Sequence, residues 1–200
     1  MGRKAGGPTF TERARRAQIV AAAIDTIAEL GFARASYAQI AKRAGLSSTG
    51  LISYHFASKD ELIDEVVAQV VAAGQAYMLP RIEAADDKLR AYIESNLEFM
   101  ATHRAHIVAV VAVFTAMPRA HDGQPSAYAE RHKRGLEQLA TLLRAGQRSG
   151  DLRRFDPLTM AMAIRAAIDA VGFRLATESD LDLPRIAREL ATLFERATRA

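Results

Sequence analysis

Apolar positions recur every three or four residues along almost the whole chain, and that period predicts helices and no strands. Ile19, Ala23, Ile27 and Leu30 mark the buried side of a first long helix over residues 11–30, capped by Thr11 and stopped by Gly31. The pattern then shortens. Ile40, Ala41 and Ala44 give a narrow apolar face, opened by Ser36 with Gln39 three residues on and closed by Gly45. Leu46 plugs the gap before a second short helix over residues 49–54, with Ser47 or Ser48 as its cap. Ser58 and Glu61 form another capping pair. They open a helix to about residue 78, closed by Pro80, with Leu62, Val66, Val67, Val70 and Val71 on its apolar side.

Beyond residue 86 the period predicts five more helices. Residues 86–103 carry Leu89, Ile93, Leu97 and Met100 on one face. Residues 105–117 are nearly all apolar, which predicts burial on every side, and Pro118 ends that helix. A polar stretch over residues 121–126 precedes a long helix over 127–148, which Gly150 ends. Asp156 with Pro157 opens the next, and Asp182 the last. The fold class is therefore all-α, with about nine helices in two parts. Residues 1–57 form a three-helix unit with a helix-turn-helix, and residues 58–200 form a helical body.

Composition narrows the chemistry. The chain has 200 residues, half of them apolar and a quarter charged, and no cysteine. Disulfides, thiolate zinc sites and cysteine nucleophiles are excluded. No apolar run in the pattern reaches bilayer-spanning length, so no membrane partner is expected and a cytoplasmic location is. No nucleophile elbow, phosphate-cradling glycine loop or His-Glu metal motif is present, so the chain is read as no enzyme and as needing no cofactor. His103 and His106 share a helix face at metal-binding spacing but lack a third ligand, so no metal site is assigned. Nine cations oppose four carboxylates in residues 1–60, whereas the whole chain carries a net charge of only +4. A basic front on a near-neutral body points to a polyanion partner, with residues 1–10 as a basic arm or an inert start.

The stretch SYAQIAKRAGLSSTGLISYHFASKDEL, with its run Tyr54-His55-Phe56 followed by Lys59, resembles the TetR family of bacterial transcriptional regulators. The resemblance implies that Ser48, Thr49 and Gly50 face base edges, that Tyr54 and His55 touch phosphates, that Phe56 seals the small core, and that Lys59 sits on the DNA backbone. Gly45 to Phe56 is one residue longer than the commonest family pattern, which spreads the candidate base contacts over Ser48, Thr49, Gly50 and Ser53. Ser36 and Ser47, at the starts of the two short helices, complete the candidate DNA surface.

A transcriptional regulator, most often a repressor, that binds a palindromic operator in double-stranded DNA as a homodimer is the function so implied. The resemblance also implies a small-molecule effector site in the body, with Phe99, His103, Val110, Phe114, Met117 and Tyr128 as its candidate lining. The last two helices either cover the body's own core or pair with a second copy. The dimer reading assigns Ile164, Ile168, Val171, Leu175, Ile186, Leu190 and Leu193 to that interface. A helical protein-interaction module without DNA binding is the alternative; it leaves the front's positive charge without a purpose.

Overall fold

In the computed structural model, residues 9–116 and 127–200 are described, with side chains in the second stretch from Glu130 onward. Met117, the side chain of Tyr128, Pro118, the basic arm with Arg3 and Lys4, and the polar stretch 121–126 lie outside the described residues. Among the described residues there are nine α-helices and one 3-10 turn, in the order α1 (Phe10–Leu30), the turn Phe32–Arg34, α2 (Tyr37–Arg43), α3 (Gly50–His55), α4 (Lys59–Ala84), α5 (Lys88–Thr102), α6 (Arg104–Ala116), α7 (Ala127–Ser149), α8 (Pro157–Thr177) and α9 (Leu183–Thr198). Strand-type pairing is limited there to one isolated antiparallel bridge between Leu152 and Arg199.

Local chemistry fixes most boundaries. The cap of α1 is Thr9, not Thr11: its side chain accepts from the Glu12 amide while Glu12 Oε2 accepts from the Thr9 amide at 2.6 Å. The reciprocal pair needs a Glu three residues on, and Thr9 has one. Gly31 and Gly45 take φ of 78° and 63°, the left-handed region where a side chain is strained, and end α1 and α2. Ser58, Asp87, Asp156 and Asp182 cap α4, α5, α8 and α9 through bonds from the third helical amide.

Helix α4 does not stop before Pro80 but runs through it to Ala84. Pro80 removes one backbone donor, yet its ring lies on the exposed side near the helix end, where water can serve the freed carbonyl. Lys88 Nζ then donates to the carbonyl oxygens of Ile82, Glu83 and Ala85 and closes the terminus. By length and composition α4 could cross a bilayer, a test that core helices also pass; here its Leu62, Ile63, Val66, Val67 and Val70 are buried within the protein.

Two cores divide the apolar residues. The first joins α1, α2, α3 and the first half of α4 to Ala109 and Val113 of α6. The second joins α5, α7, α8 and α9. A 95° bend at His103 separates α5 from α6 and turns α6 across α1. Helix α6 is not buried on every side. Ala109 and Val113 are enclosed, while Val108, Val110, Val111 and Phe114 are half-buried. An apolar sequence is necessary for full burial, but α6 lies at the edge of both cores and has neighbours on only part of its circumference.

The assignment of Ile164, Ile168, Val171 and Leu175 to a contact between copies is corrected. All four are buried in the second core of their own chain. The opposite side of α8 carries the exposed apolar residues, Leu158, Met162 and Phe173, with Ala163, Ala166 and Ala170 between them. On α9, Leu193 is exposed at 58%, whereas Ile186 and Leu190 are half-buried against the core.

Candidate nucleic-acid interface

Helix α3 has only six residues, too few to stand alone, so its place depends on two anchors. Ile52 and Phe56, one turn apart, are 0% and 1% exposed in the first core. That fixes the rotation of the helix and turns Gly50, Ser53 and Tyr54 outward; Tyr54 is 73% exposed. The preceding turn is also held. Leu46 donates to the Ala41 carbonyl at 2.9 Å, and Gln18 Nε2 of α1 donates to the Ala44 carbonyl at 2.7 Å. Leu46 packs half-buried against the core, as its plugging role requires.

Neither Ser47 nor Ser48 caps α3. Thr49 is its N-cap, in helical conformation (φ −67°, ψ −22°) and without a side-chain bond to the helix. The chain enters α3 from a turn in which Leu51 donates to the Ser48 carbonyl, and Thr49, not either serine, stands at the cap position. The hydroxyls of Ser47, Ser48 and Thr49 are exposed together with the start of the helix.

Ser36, as expected, caps α2 by accepting from the Gln39 amide at 3.3 Å. At the other end of the surface, Tyr54 and His55 meet edge to face with centroids 5.0 Å apart. Lys59, the first residue of α4, has its ammonium 4.9 Å from the centre of the Phe32 ring. All nine residues predicted for DNA contact therefore lie on the exposed or half-exposed side of this unit. Leu51 was missed. It is 37% exposed on α3 and offers an apolar contact beside the polar ones.

Two of the cations counted in the basic front are used internally. Arg16 pairs with Glu61 at 3.2 Å and lies 4.1 Å from the centre of the Phe56 ring, and Arg43 pairs with Glu29. The Ala57 amide and Arg16 both donate to Glu61, which holds its carboxyl below the usual carboxylate range.

The candidate effector residues are only partly brought together. The Phe99 ring stacks on His103 with centroids 4.4 Å apart, and Tyr77 and His106 stand at their edges. Phe99 packs on α4 at Gly74, where a Cβ would still make ordinary contact with its ring at 3.5 Å. Val110 and Phe114 lie farther along α6, where Val110 packs on the first core. Tyr77 was missed because nothing local in sequence links α4 to the α5–α6 corner. His106 had been weighed only for metal binding; burial, and then the neighbouring His103, push its pKa down. Among the described residues no three His, Cys, Asp or Glu side chains group as metal ligands.

Comparison with known proteins matches this arrangement at two levels. Residues 19–66 match the model for bacterial regulatory proteins of the tetR family, and residues 83–173 match that for the tetracyclin repressor-like C-terminal domain. The HTH-type transcriptional regulator BetI of Stenotrophomonas maltophilia is 38% identical over 91 residues, which span 44% of this chain and 46% of that protein, so this match covers about half of the relative's length. The BetI regulator of Escherichia coli O17:K52:H18 is 28% identical over 186 residues, 90% of this chain and 91% of that one. In fold, the chain superimposes with a TM-score of 0.71 and 17% identity on the regulator AibR, solved in complex with isovaleryl coenzyme A and operator DNA, over 90% of this chain and 97% of that one.

Proposed function

The chain belongs to the TetR family of bacterial regulatory proteins, and from that premise we infer that it is a ligand-responsive, DNA-binding transcriptional regulator acting as a cytoplasmic repressor. The observation that carries the reading is α3. Its buried Ile52 and Phe56 leave a small polar face, Ser48, Thr49, Gly50 and Ser53, with Leu51 beside it, free to enter a major groove. Tyr54, His55, Lys59 and the Ser36 hydroxyl flank that face and suit phosphate contact, which positions the helix without reading sequence.

One six-residue helix sees too few base pairs to be selective, so two copies reading a palindrome is the arrangement in this proposal. The exposed apolar side of α8, Leu158, Met162 and Phe173, with Leu193 of α9, is the face for the second copy. In this reading residues 1–57 form the reading head and residues 58–200 the regulatory and pairing body. The aromatic cluster of Tyr77, Phe99, His103 and His106 lies where α4, α5 and α6 meet, which supports it as the place where an effector acts on α4. The effector must bind the non-DNA-binding arrangement better, because equal affinity for both shifts nothing.

Selection of bound sequences from random duplex DNA at fixed salt tests the function. A palindromic consensus supports the dimeric regulator. Binding without sequence preference, or none, overturns it, and none returns the chain to the class of helical interaction modules.

A further inference from the structure

The elbow between α7 and α8 carries a concentration of cations that neither DNA reading nor the aromatic cluster uses. Arg144 and Arg148 lie one turn apart near the end of α7, and Arg154 comes from the segment that leads into α8. With Gln147 and the half-buried Phe155 they line a concavity of about 600 Å³, a volume in the range of small-molecule sites, and no carboxylate lines it.

This surface is built, not loose. Gly150 turns the chain at φ 88°, and Leu152 folds back onto Gly146 so closely that a Cβ there would lie 2.7 Å from Leu152 Cδ1. The Leu152 amide donates to the Gly146 carbonyl at 3.1 Å. Gln147 Nε2 donates to the carbonyls of Arg153 and Phe155, each at 3.0 Å, and Arg153 Nε donates to the Ala197 carbonyl at 2.9 Å. The segment bearing Arg154 is therefore bolted to both α7 and α9.

Charge neutralisation at this elbow is incomplete. Arg144 has Glu137 only at 4.0 Å, and Arg148 and Arg154 have no ion-pair partner among the described residues. The nearby Asp156 accepts from the Thr159 amide at 2.7 Å as the cap of α8, and its carboxylate also attracts Arg144, which leaves Arg148 and Arg154 as the uncompensated pair. Arg148 complements the C-terminal end of α7, but that effect accounts for one cation and not three. DNA held by the α3 face does not explain them either. Arg131 of α7 lies beside Asp64, one turn into α4 from the head, and Arg148 is 17 residues farther along α7, about 25 Å.

We propose that the α7–α8 elbow is a binding site for a small, multiply charged oxyanion, a phosphoanhydride or a polycarboxylate, held by Arg144, Arg148 and Arg154. The planar guanidinium fork matches both oxyanions two bonds at a time, and Phe155 offers an apolar floor beside it.

The test titrates the full chain with ATP and, separately, with citrate by calorimetry at low salt, and follows the Gly146 and Gly150 amide resonances. Saturable binding of either probe that shifts these two amides, and a dissociation constant raised at least tenfold in R148Q/R154Q but unchanged in K59A, is the expected result. Binding of ATP alone assigns the site to phosphoanhydrides, citrate alone to polycarboxylates. Absence of saturable binding for both probes, unshifted Gly146 and Gly150 amides, or equal affinity in a R148Q/R154Q variant that melts like the parent, overturns the proposal.

Discussion

The guanidinium of Arg16 in α1 donates to the carbonyl oxygen of His55, the last residue of α3. The same side chain lies over Phe56 and pairs with Glu61 of α4, so one residue ties three helices together at the rim of the reading surface. Arg16→Ala removes a charge-assisted bond to a backbone carbonyl and is expected to cost about 1.5–3 kcal/mol of stability. Denaturant unfolding measures it. Arg16→Lys should recover less than half, because an ammonium cannot serve a carbonyl, a carboxylate and a ring face together. Full recovery with Lys would remove the geometric argument.

Lys59 is a cation at the first position of α4, the end of a helix that repels cations. Its ammonium over the Phe32 ring offsets part of that repulsion, and a phosphate opposite it would offset the rest. Lys59→Ala is therefore expected to leave stability nearly unchanged, relief of about 0.3–1 kcal/mol at the helix end being offset by loss of the contact with Phe32, while DNA affinity falls and the slope of log K against log salt drops by about one unit. Thermal melts and filter binding at four salt concentrations check both. An unchanged slope would sink the phosphate role.

The two sides of α8 make opposite forecasts. Met162→Asp, on the exposed side, should leave a folded monomer that binds operator DNA far more weakly, by roughly 100-fold or more, since half of the contacts are lost. Ile168→Asp, at 0% exposure, places an unpaired carboxylate in the core and should unfold the chain, at a cost of several kcal/mol or about the whole stability. Light scattering and circular dichroism separate these outcomes. A dimeric Met162→Asp protein would put the pairing face elsewhere.

His106 sets a pH response. Its folded pKa lies below the ordinary 6.5, so between the two values the unfolded chain binds more protons. Stability is fully present above 6.5 and is lost as the pH falls through the folded value. Burial drives the shift, His103 adds to it, and Asp25 of α1 opposes it. The melting temperature should thus fall on going from about pH 7.5 to pH 5. His106→Gln should flatten that part of the profile; an identical profile in the variant would remove His106 as the cause.

Much of this architecture is written in local signals. Ser36, Ser58, Asp156 and Asp182 act within one turn of their own positions, and Gly31, Gly45 and Gly150 state their backbone angles outright. The exposed face of α3 was legible for the same reason, since Ile52 and Phe56 fix its rotation. What failed were questions of which neighbour an apolar face meets. Helix α8 is apolar on both sides, and its period cannot say that Ile164 and Ile168 face inward while Met162 faces out. Pro80 was read as a stop because the penalty for proline is local, whereas its tolerance comes from an exposed position near the helix end. Tyr77 joined Phe99 only through the packing of α4 on α5, a long-range fact with no local trace.

Ala109 and Val113 of α6 close the same apolar interior as Ile24 and Ile27 of α1. A fragment cut after residue 57 would be born with an open floor where α6 and the first half of α4 belong. Severing the chain there should yield a sticky, poorly cooperative peptide, not a miniature repressor. It also means that tilting α6 presses on α1 from beneath, a second lever beside α4 for any signal that starts at the His103 corner.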